Sequence, residues 1–210
     1  VANLDYSSVA GVYRGLEVMV FGSSLQKARL CHLGALLDVL IELESPSIAV
    51  VGDGDGRFLA ELLKSDQDFK VDYIDCSPGM LRVAKKRIGH DSRVTWRCEK
   101  FEGGGQKYYD AIACHFVLDG FDLDQRERFV GAISASLNTN GILLVSDFDS
   151  RAHGVAEALV FCMQCFFHIF AGVPFVKVSR PDDVFIAYKM TKIGGSEWWR
   201  GAIFSQMWKM

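Results

Sequence analysis

The sequence has almost no net charge: 23 basic residues against 26 acidic ones leave a formal charge of -3. Without a basic excess it lacks the electrostatic footprint of a general nucleic-acid binder. It also has no second cysteine pair to match the single C-x-x-C of Cys162 and Cys165. With only His168 nearby, that motif falls short of the roughly four ligands a zinc centre takes, so no metal is implied. The six cysteines, at 31, 76, 98, 114, 162 and 165, are scattered, several of them inside apolar runs. That pattern predicts reduced thiols buried in a core or pocket. The opening VANLDYSS lacks the charged and apolar regions of a secretory leader, and the expectation is a cytoplasmic protein. No internal repeat, low-complexity tract or linker divides the 210 residues, which predicts one domain over 1–210. What the chain does have is apolar material, 50% hydrophobic and 12% aromatic, enough for a sizeable core.

One run strains that picture. ALVFCMQCFFHIFAGVPF, 158–175, carries no formal charge and approaches the length of a membrane span. Gln164, His168 and the Gly172–Pro174 end favour a shorter buried helix that walls a pocket, with contact at a membrane surface as the other reading. His153 and His168 read as structural or surface residues.

The first 45 residues read as helical. LQKARLCHLGALLDVLIEL sets Leu30, Leu33, Leu37, Leu40 and Ile41 at three- and four-residue spacing, one amphipathic stripe ended by Ser45-Pro46. Strand and helix patterns then alternate. SIAVVG, FKVDYID, RVTWRC, YDAIACHF and GILLVSDF read as strands; RFLAELLKS, GMLRVAKKRI and QRERFVGAISASL read as helices. Such alternation implies right-handed crossovers and a mainly parallel sheet covered on both faces. At the end, YKMTKI and AIFSQMWKM read as two strands joined by a Gly-Gly turn, an antiparallel pair closing the sheet. The fold class is therefore α/β, a Rossmann-like sheet of about seven strands. Residues 151–180 form an apolar helical insertion.

AVVGDGDGRF places Gly52, Gly54 and Gly56 at the carboxyl end of the first strand. Open parallel sheets bind ligands there. Bare backbone admits unusual φ values and close ligand approach. A dinucleotide fingerprint, G-x-G-x-x-G, would need glycine where Arg57 stands. Asp53 and Asp55 would also set negative charge against a diphosphate. A cationic ligand suits them better, and S-adenosylmethionine carries both a sulfonium and an ammonium. VDYIDCSPGML ends the next strand at Asp75, where a carboxylate can accept from both ribose hydroxyls. Ser77 then reads as a helix cap with Pro78 at the first position.

The chain resembles the class I S-adenosylmethionine-dependent methyltransferases. VVGDGDGRF is similar to their first motif, YIDCSPGML to their ribose-binding strand end, YDAIACHFVLDGF to their fourth-strand motif, and LNTNGILLVSDF to their fifth strand. YSSVAGVY further resembles the opening of the small-molecule branch that methylates quinones and phospholipids. The resemblance runs from about Tyr6 to the end. It implies S-adenosylmethionine as cofactor, bound by Gly52, Asp53, Gly54, Gly56, Asp75, Cys76 and Met80. Glu99 and Phe101 would meet the adenine. The Cys114 carbonyl would face the methionine ammonium, and Tyr13 and Tyr6 would form part of a lid, Tyr6 toward the substrate. Val50 departs from the family, which carries an acidic residue there; Asp53 is the replacement expected.

His115, just past the fourth strand, is the candidate base for an acceptor hydroxyl, and equally a residue that packs against the cofactor or caps the strand end. Asp119 reads as a turn residue. Phe116, Phe166 and Phe170, with Phe161, Phe167 and Phe175, would wall the substrate side and favour a small apolar acceptor. Two rivals remain open at this point: a cofactor-binding protein without transfer activity, and a nicotinamide-dependent reductase.

Overall fold

A computed structural model describes residues 23–103, 108–149 and 180–210. Tyr6, Tyr13, Phe161, Phe166, Phe167, Phe170, Phe175, Cys162, Cys165, His153 and His168 lie outside the described residues, as do most of the expected N-terminal cap and the 158–175 segment. In chain order the elements are α1 (Ser24–Leu30), α2 (Leu33–Leu40), β1 (Ser47–Val51), α3 (Arg57–Leu62), β2 (Lys70–Ile74), α4 (Pro78–Ile88) and β3 (Val94–Arg97). There follow β4 (Tyr109–His115), a 3-10 turn at Leu118–Gly120, α5 (Leu123–Ser136), β5 (Leu137–Phe148), α6 (Asp182–Ala187), β6 (Thr191–Trp198) and β7 (Ile203–Lys209).

The seven strands form one sheet in the order β3-β2-β1-β4-β5-β7-β6. The first five run parallel, β7 is antiparallel to β5, and β6 is antiparallel to β7. The Rossmann-like class is therefore the observed one. Side-chain alternation divides the core into two layers. Ile48, Val50, Val71, Tyr73, Ile142 and Leu144 pack with α2, α3 and α4 on one face. Ala49, Val51, Ile74, Leu143 and Val145 pack with α5 and α6 on the other. Strand order reverses at β1: the chain moves outward to β2 and β3, then returns to β4 on the opposite side. A crevice at the carboxyl ends of β1 and β4 is the geometric consequence.

Three local expectations are corrected. The helix expected through Ile41 is two helices, broken at Cys31–His32. The break turns the buried stripe onto Leu25, Ala28, Leu36 and Leu40 and leaves Ile41 63% exposed. The Gly-Gly turn does not exist: Gly194 and Gly195 lie inside β6, and the chain reverses at Trp199–Gly201, where Trp199 and Arg200 both take φ of 54°. At Gly194 a Cβ would come within 3.2 Å of the His32 ring, so the strand admits close approach from the α1–α2 junction. Cys31, Cys76 and Cys98 are free and exposed, and only Cys114 among the described cysteines is buried.

Candidate functional site: the crevice between β1 and β4

The glycine turn follows β1 directly. Gly52, Gly54 and Gly56 take φ of 66°, 62° and 77°, so all three lie in the left-handed region that side chains resist. Neighbours hold the turn at both ends. The Gly52 amide donates to the Ile74 carbonyl at 2.9 Å, and a Cβ on Gly52 would lie 2.7 Å from Val117 Cγ2. The Tyr73 hydroxyl donates to the Gly54 carbonyl at 2.8 Å, while the Gly54 amide donates to Asp75 Oδ2 at 3.2 Å. Met80 comes alongside, its sulfur 4.0 Å from the place a Gly54 Cβ would take.

Asp75 thus does two jobs at the end of β2. Its other oxygen, Oδ1, accepts from the Ser77 amide at 2.8 Å. Ser77 caps α4 by accepting from Met80 N at 3.3 Å, with Pro78 at the first helical position, as the sequence predicts. Burial raises the Asp75 carboxyl above its ordinary value, while amides of Ser77 and Gly54 oppose that shift. Each oxygen bonded to one amide keeps a further lone pair, the requirement for accepting from a diol.

The two loop aspartates are corrected. Both are engaged by partners within the chain. Asp53 is 7% exposed and accepts from Phe58 N at 3.2 Å and Leu59 N at 3.0 Å, so its carboxylate serves the amino end of α3. It does not replace the acid missing at Val50, which is itself fully buried in the core. Asp55 is matched by Arg57 at 2.9 Å and by Arg87 Nη2 at 2.6 Å. The same pairings engage Arg57 and Arg87, which leaves a diphosphate poorly served by them.

Burial pushes the Asp53 carboxyl up to about 6, against the amides of Leu59 and Phe58 and the charge of Arg29. The folded protein therefore binds a proton that the unfolded chain has released, between the ordinary 3.8 and about 6. This contribution is present below pH 4 and lost as pH rises through 6. Replacing Asp53 with Asn removes it. The stability of Asp53→Asn relative to the native chain should rise between pH 4 and pH 7 by up to about 3 kcal/mol, measured by urea titration. A difference flat with pH would contradict the assignment.

On the β4 side lie His115, Phe116 and Cys114. His115 is 4% exposed, its ring 4.7 Å from that of Phe58. Its Nδ1 lies 3.0 Å from Ser146 Oγ, which donates to the Ala28 carbonyl at 2.9 Å and shares a hydrogen bond with Ser205 Oγ at 2.8 Å. The carbonyl can only accept, so the single Ser146 proton goes there and the imidazole is the donor at Nδ1. Nε2 then carries a bare lone pair, and among the described residues it has no partner. Burial, then the charge of Arg29, then His32, lower the imidazole to about 3. So weak a base is mismatched to deprotonating a hydroxyl near neutral pH, which favours the packing role over the base role.

Phe116 takes a left-handed φ of 60°, rare for an aromatic residue and a mark of imposed backbone geometry at the crevice. Its amide donates to the Ser146 carbonyl at 2.7 Å, and its ring meets Phe148 at 5.1 Å. Beyond it, Asp147 accepts from Leu118 N at 2.8 Å, which pins the 3-10 turn carrying Asp119. Burial and the neighbouring Asp119 hold Asp147 well above the usual carboxylate range. The Cys114 thiol is buried and pushed far up by desolvation. The two adenine candidates diverge: the Glu99 side chain is 56% exposed beside Arg97, whereas Phe101 is half-buried, edge-on to Phe129 at 5.9 Å. Cys76 is exposed.

Arg29 was not anticipated. It lies in the last turn of α1, is 6% exposed, and places its guanidinium 4.7 Å from the centre of the Phe116 ring. The signal available was its position four residues after Leu25, a charge on the apolar face of a helix.

Residues 50–143 match the family model described as a methyltransferase domain. That stretch contains the glycine turn, Asp75 and β4. Among relatives the chain is 25% identical over 125 residues to a malonyl-[acyl-carrier protein] O-methyltransferase 1 of Ilyobacter polytropus, covering 58% of this chain and 46% of that protein. It is 33% identical over 110 residues to a malonyl-[acyl-carrier protein] O-methyltransferase of Halalkalibacterium halodurans, covering 50% and 40%. The chain thus spans less than half the length of these curated relatives. Magnesium protoporphyrin IX methyltransferase of Synechocystis PCC 6803, solved with bound S-adenosylhomocysteine, shares the fold at a TM-score of 0.68 and 12% identity, over 97% of this chain and 95% of that one. No helix among the described residues is long and apolar enough to cross a membrane.

Proposed function

We propose that the protein transfers a methyl group from S-adenosylmethionine to a small acceptor with an apolar body. The observation that carries this reading is the left-handed glycine turn locked to Asp75 and Tyr73 at the strand-order reversal, beside a loop whose arginines are already matched by Asp55. The cofactor supplies a methyl group on a positively charged sulfur, a carbon already joined to a good leaving group. The chain's part is to hold the ribose through the outward lone pairs of Asp75, to bring bare backbone against the cofactor at Gly52–Gly56, and to exclude water. Positioning and desolvation then account for most of the rate. Gly52, Gly54, Gly56, Asp75 and Met80 form the cofactor half of the site. Phe116 is the described candidate for the acceptor half, and Phe166 and Phe170 are the candidates that the sequence offers beside it. The aromatic density of the 158–175 segment supports the apolar body, and the relatives named malonyl-[acyl-carrier protein] O-methyltransferase support trying an oxygen acceptor.

The test is transfer of labelled methyl from S-adenosylmethionine to a panel holding a malonyl thioester, a phenol and an amine of matched apolar size. At least one should be methylated. Asp75→Ala should lower kcat/KM at least about a hundredfold, through loss of two charge-assisted ribose contacts and of the Gly54 tether. Full activity of Asp75→Ala would overturn the assignment.

A further inference from the structure

Two free cysteines stand on neighbouring strand ends beside Asp75. β2 and β3 pair in parallel with Ile74 opposite Arg97, and the Asp75 amide donates to the Arg97 carbonyl at 3.1 Å. One step further in the same register Cys98 comes opposite Asp75, and Cys76 is the residue after Asp75. With strands about 4.8 Å apart and consecutive Cα atoms about 3.8 Å apart, the Cα atoms of Cys76 and Cys98 are separated by about 6 Å, within the span a disulfide bridges. Both thiols are exposed, so a small reagent can reach them. Burial, then the charge of Asp75, raise the Cys76 thiol; Lys100 lowers it, and Cys98 adds a rise of its own, as a close neighbour does.

We infer that Cys76 and Cys98 form a dithiol that closes to a disulfide across the ends of β2 and β3 and so shuts out the adenine of the cofactor. The inference rests on the cofactor reading above and adds a control to it. On that reading the ribose sits on Asp75, and the base crosses from the end of β2 toward Glu99 and Phe101, just past Cys98. A covalent bridge between the two ends obstructs that path. The oxidant it needs is a small disulfide such as oxidised glutathione. The Cys98 thiolate attacks one sulfur of that disulfide, its S–S bond breaks, and one small thiol leaves. The Cys76 thiolate then attacks the Cys98 sulfur of the mixed disulfide, and the second small thiol leaves with the electron pair of that bond. Two protein thiols are oxidised, one small disulfide is reduced to two thiols, and the protons pass to the departing thiolates. Cys76 takes the second step because a raised thiol is poorly matched to a dilute reagent, whereas its neighbour is held at a fixed distance.

The test equilibrates the full chain with oxidised glutathione, removes the reagent, and applies two readouts. The first is mass spectrometry of an unreduced tryptic digest, in which the peptide of residues 71–82 should appear joined to that of residues 98–100. The second is calorimetry with S-adenosylhomocysteine, which the oxidised chain should bind at least about tenfold more weakly than the reduced one, with recovery in dithiothreitol. Cys98→Ser should bind as the reduced native chain does, within about twofold, and should keep that affinity after the same treatment. A double variant, Cys162→Ser with Cys165→Ser, should lose affinity on oxidation as the native chain does, which separates the effect from the C-x-x-C pair. The inference is overturned if the linked peptide does not form, if glutathione adducts form in its place, or if the linked chain keeps its affinity. A loss that persists in Cys98→Ser also overturns it. If the reduced native chain does not bind S-adenosylhomocysteine, the cofactor reading falls and takes the control with it, while the linked peptide still reports whether the two thiols meet.

Discussion

Gly56→Ala is expected to cost about 2–4 kcal/mol of stability and to weaken S-adenosylhomocysteine binding in parallel. Two costs add at this position. An L residue at φ 77°, ψ 27° gives up roughly 1–2 kcal/mol relative to glycine. The new Cβ would also lie 3.0 Å from Ala84 Cβ and 3.3 Å from Ala84 Cα. Ala84 is fully buried in the middle of α4, so neither atom can swing aside, and the strain passes into the helix that begins at the Ser77 cap. A thermal melt should fall by about 5–15 °C for a chain of this size. Gly34→Ala is the control: a Cβ there meets nothing within 4 Å, its φ is not left-handed, and it sits in α2, where alanine favours the helix by up to about 1 kcal/mol. Equal melting temperatures for the two variants would contradict the packing account of the turn.

The second large effect is acid lability traced to one imidazole. His115 protonates near its ordinary 6.5 when unfolded and only near 3 when folded. The unfolded chain therefore takes up a proton that the native fold refuses between those values. Stability from this group is present above pH 6.5 and drains as pH falls toward 3, by up to about 4 kcal/mol. The buried carboxylates Asp53, Asp75 and Asp147 are raised and act with the opposite sign, so the total curve mixes both. The difference between the native chain and His115→Asn isolates the histidine, because asparagine keeps a donor near Nδ1 for Ser146 and does not titrate. Urea titrations at pH 7 and pH 4 should show His115→Asn gaining on the native chain by about 2 kcal/mol or more as the pH falls. A constant difference would mean that the imidazole is not held neutral by its surroundings.

Much of this fold was legible because its signals are local. Short apolar runs such as Ser47–Val51 and Lys70–Ile74, each followed by a helical pattern, announce parallel strands, and Ser77-Pro78 announces a helix start through chemistry confined to three residues. The glycine turn and Asp75 were legible for the same reason. The failures all turn on distant partners. Asp55 looked available to a cation because Arg87, on another helix, is invisible to spacing. Asp53 looked like a ligand because nothing in DGDGRF tells which way its carboxylate faces. Gly194–Gly195 imitates a turn, yet both lie inside β6, and Gly194 faces His32, far back along the chain. His115 looked like a base until Ser146, Arg29 and burial fixed its tautomer and lowered its basicity. Arg29 needed the fold itself, since the ring it meets, that of Phe116, lies far along the chain.

The central claim is that the crevice takes an adenosyl sulfur ligand and not a diphosphate. Titration calorimetry on the full chain with S-adenosylhomocysteine, and separately with NADH, reads this directly. The account predicts one-to-one micromolar binding of S-adenosylhomocysteine, at least about a hundredfold tighter than NADH, and its loss in Asp75→Ala. Tight binding of NADH with none of S-adenosylhomocysteine would contradict it.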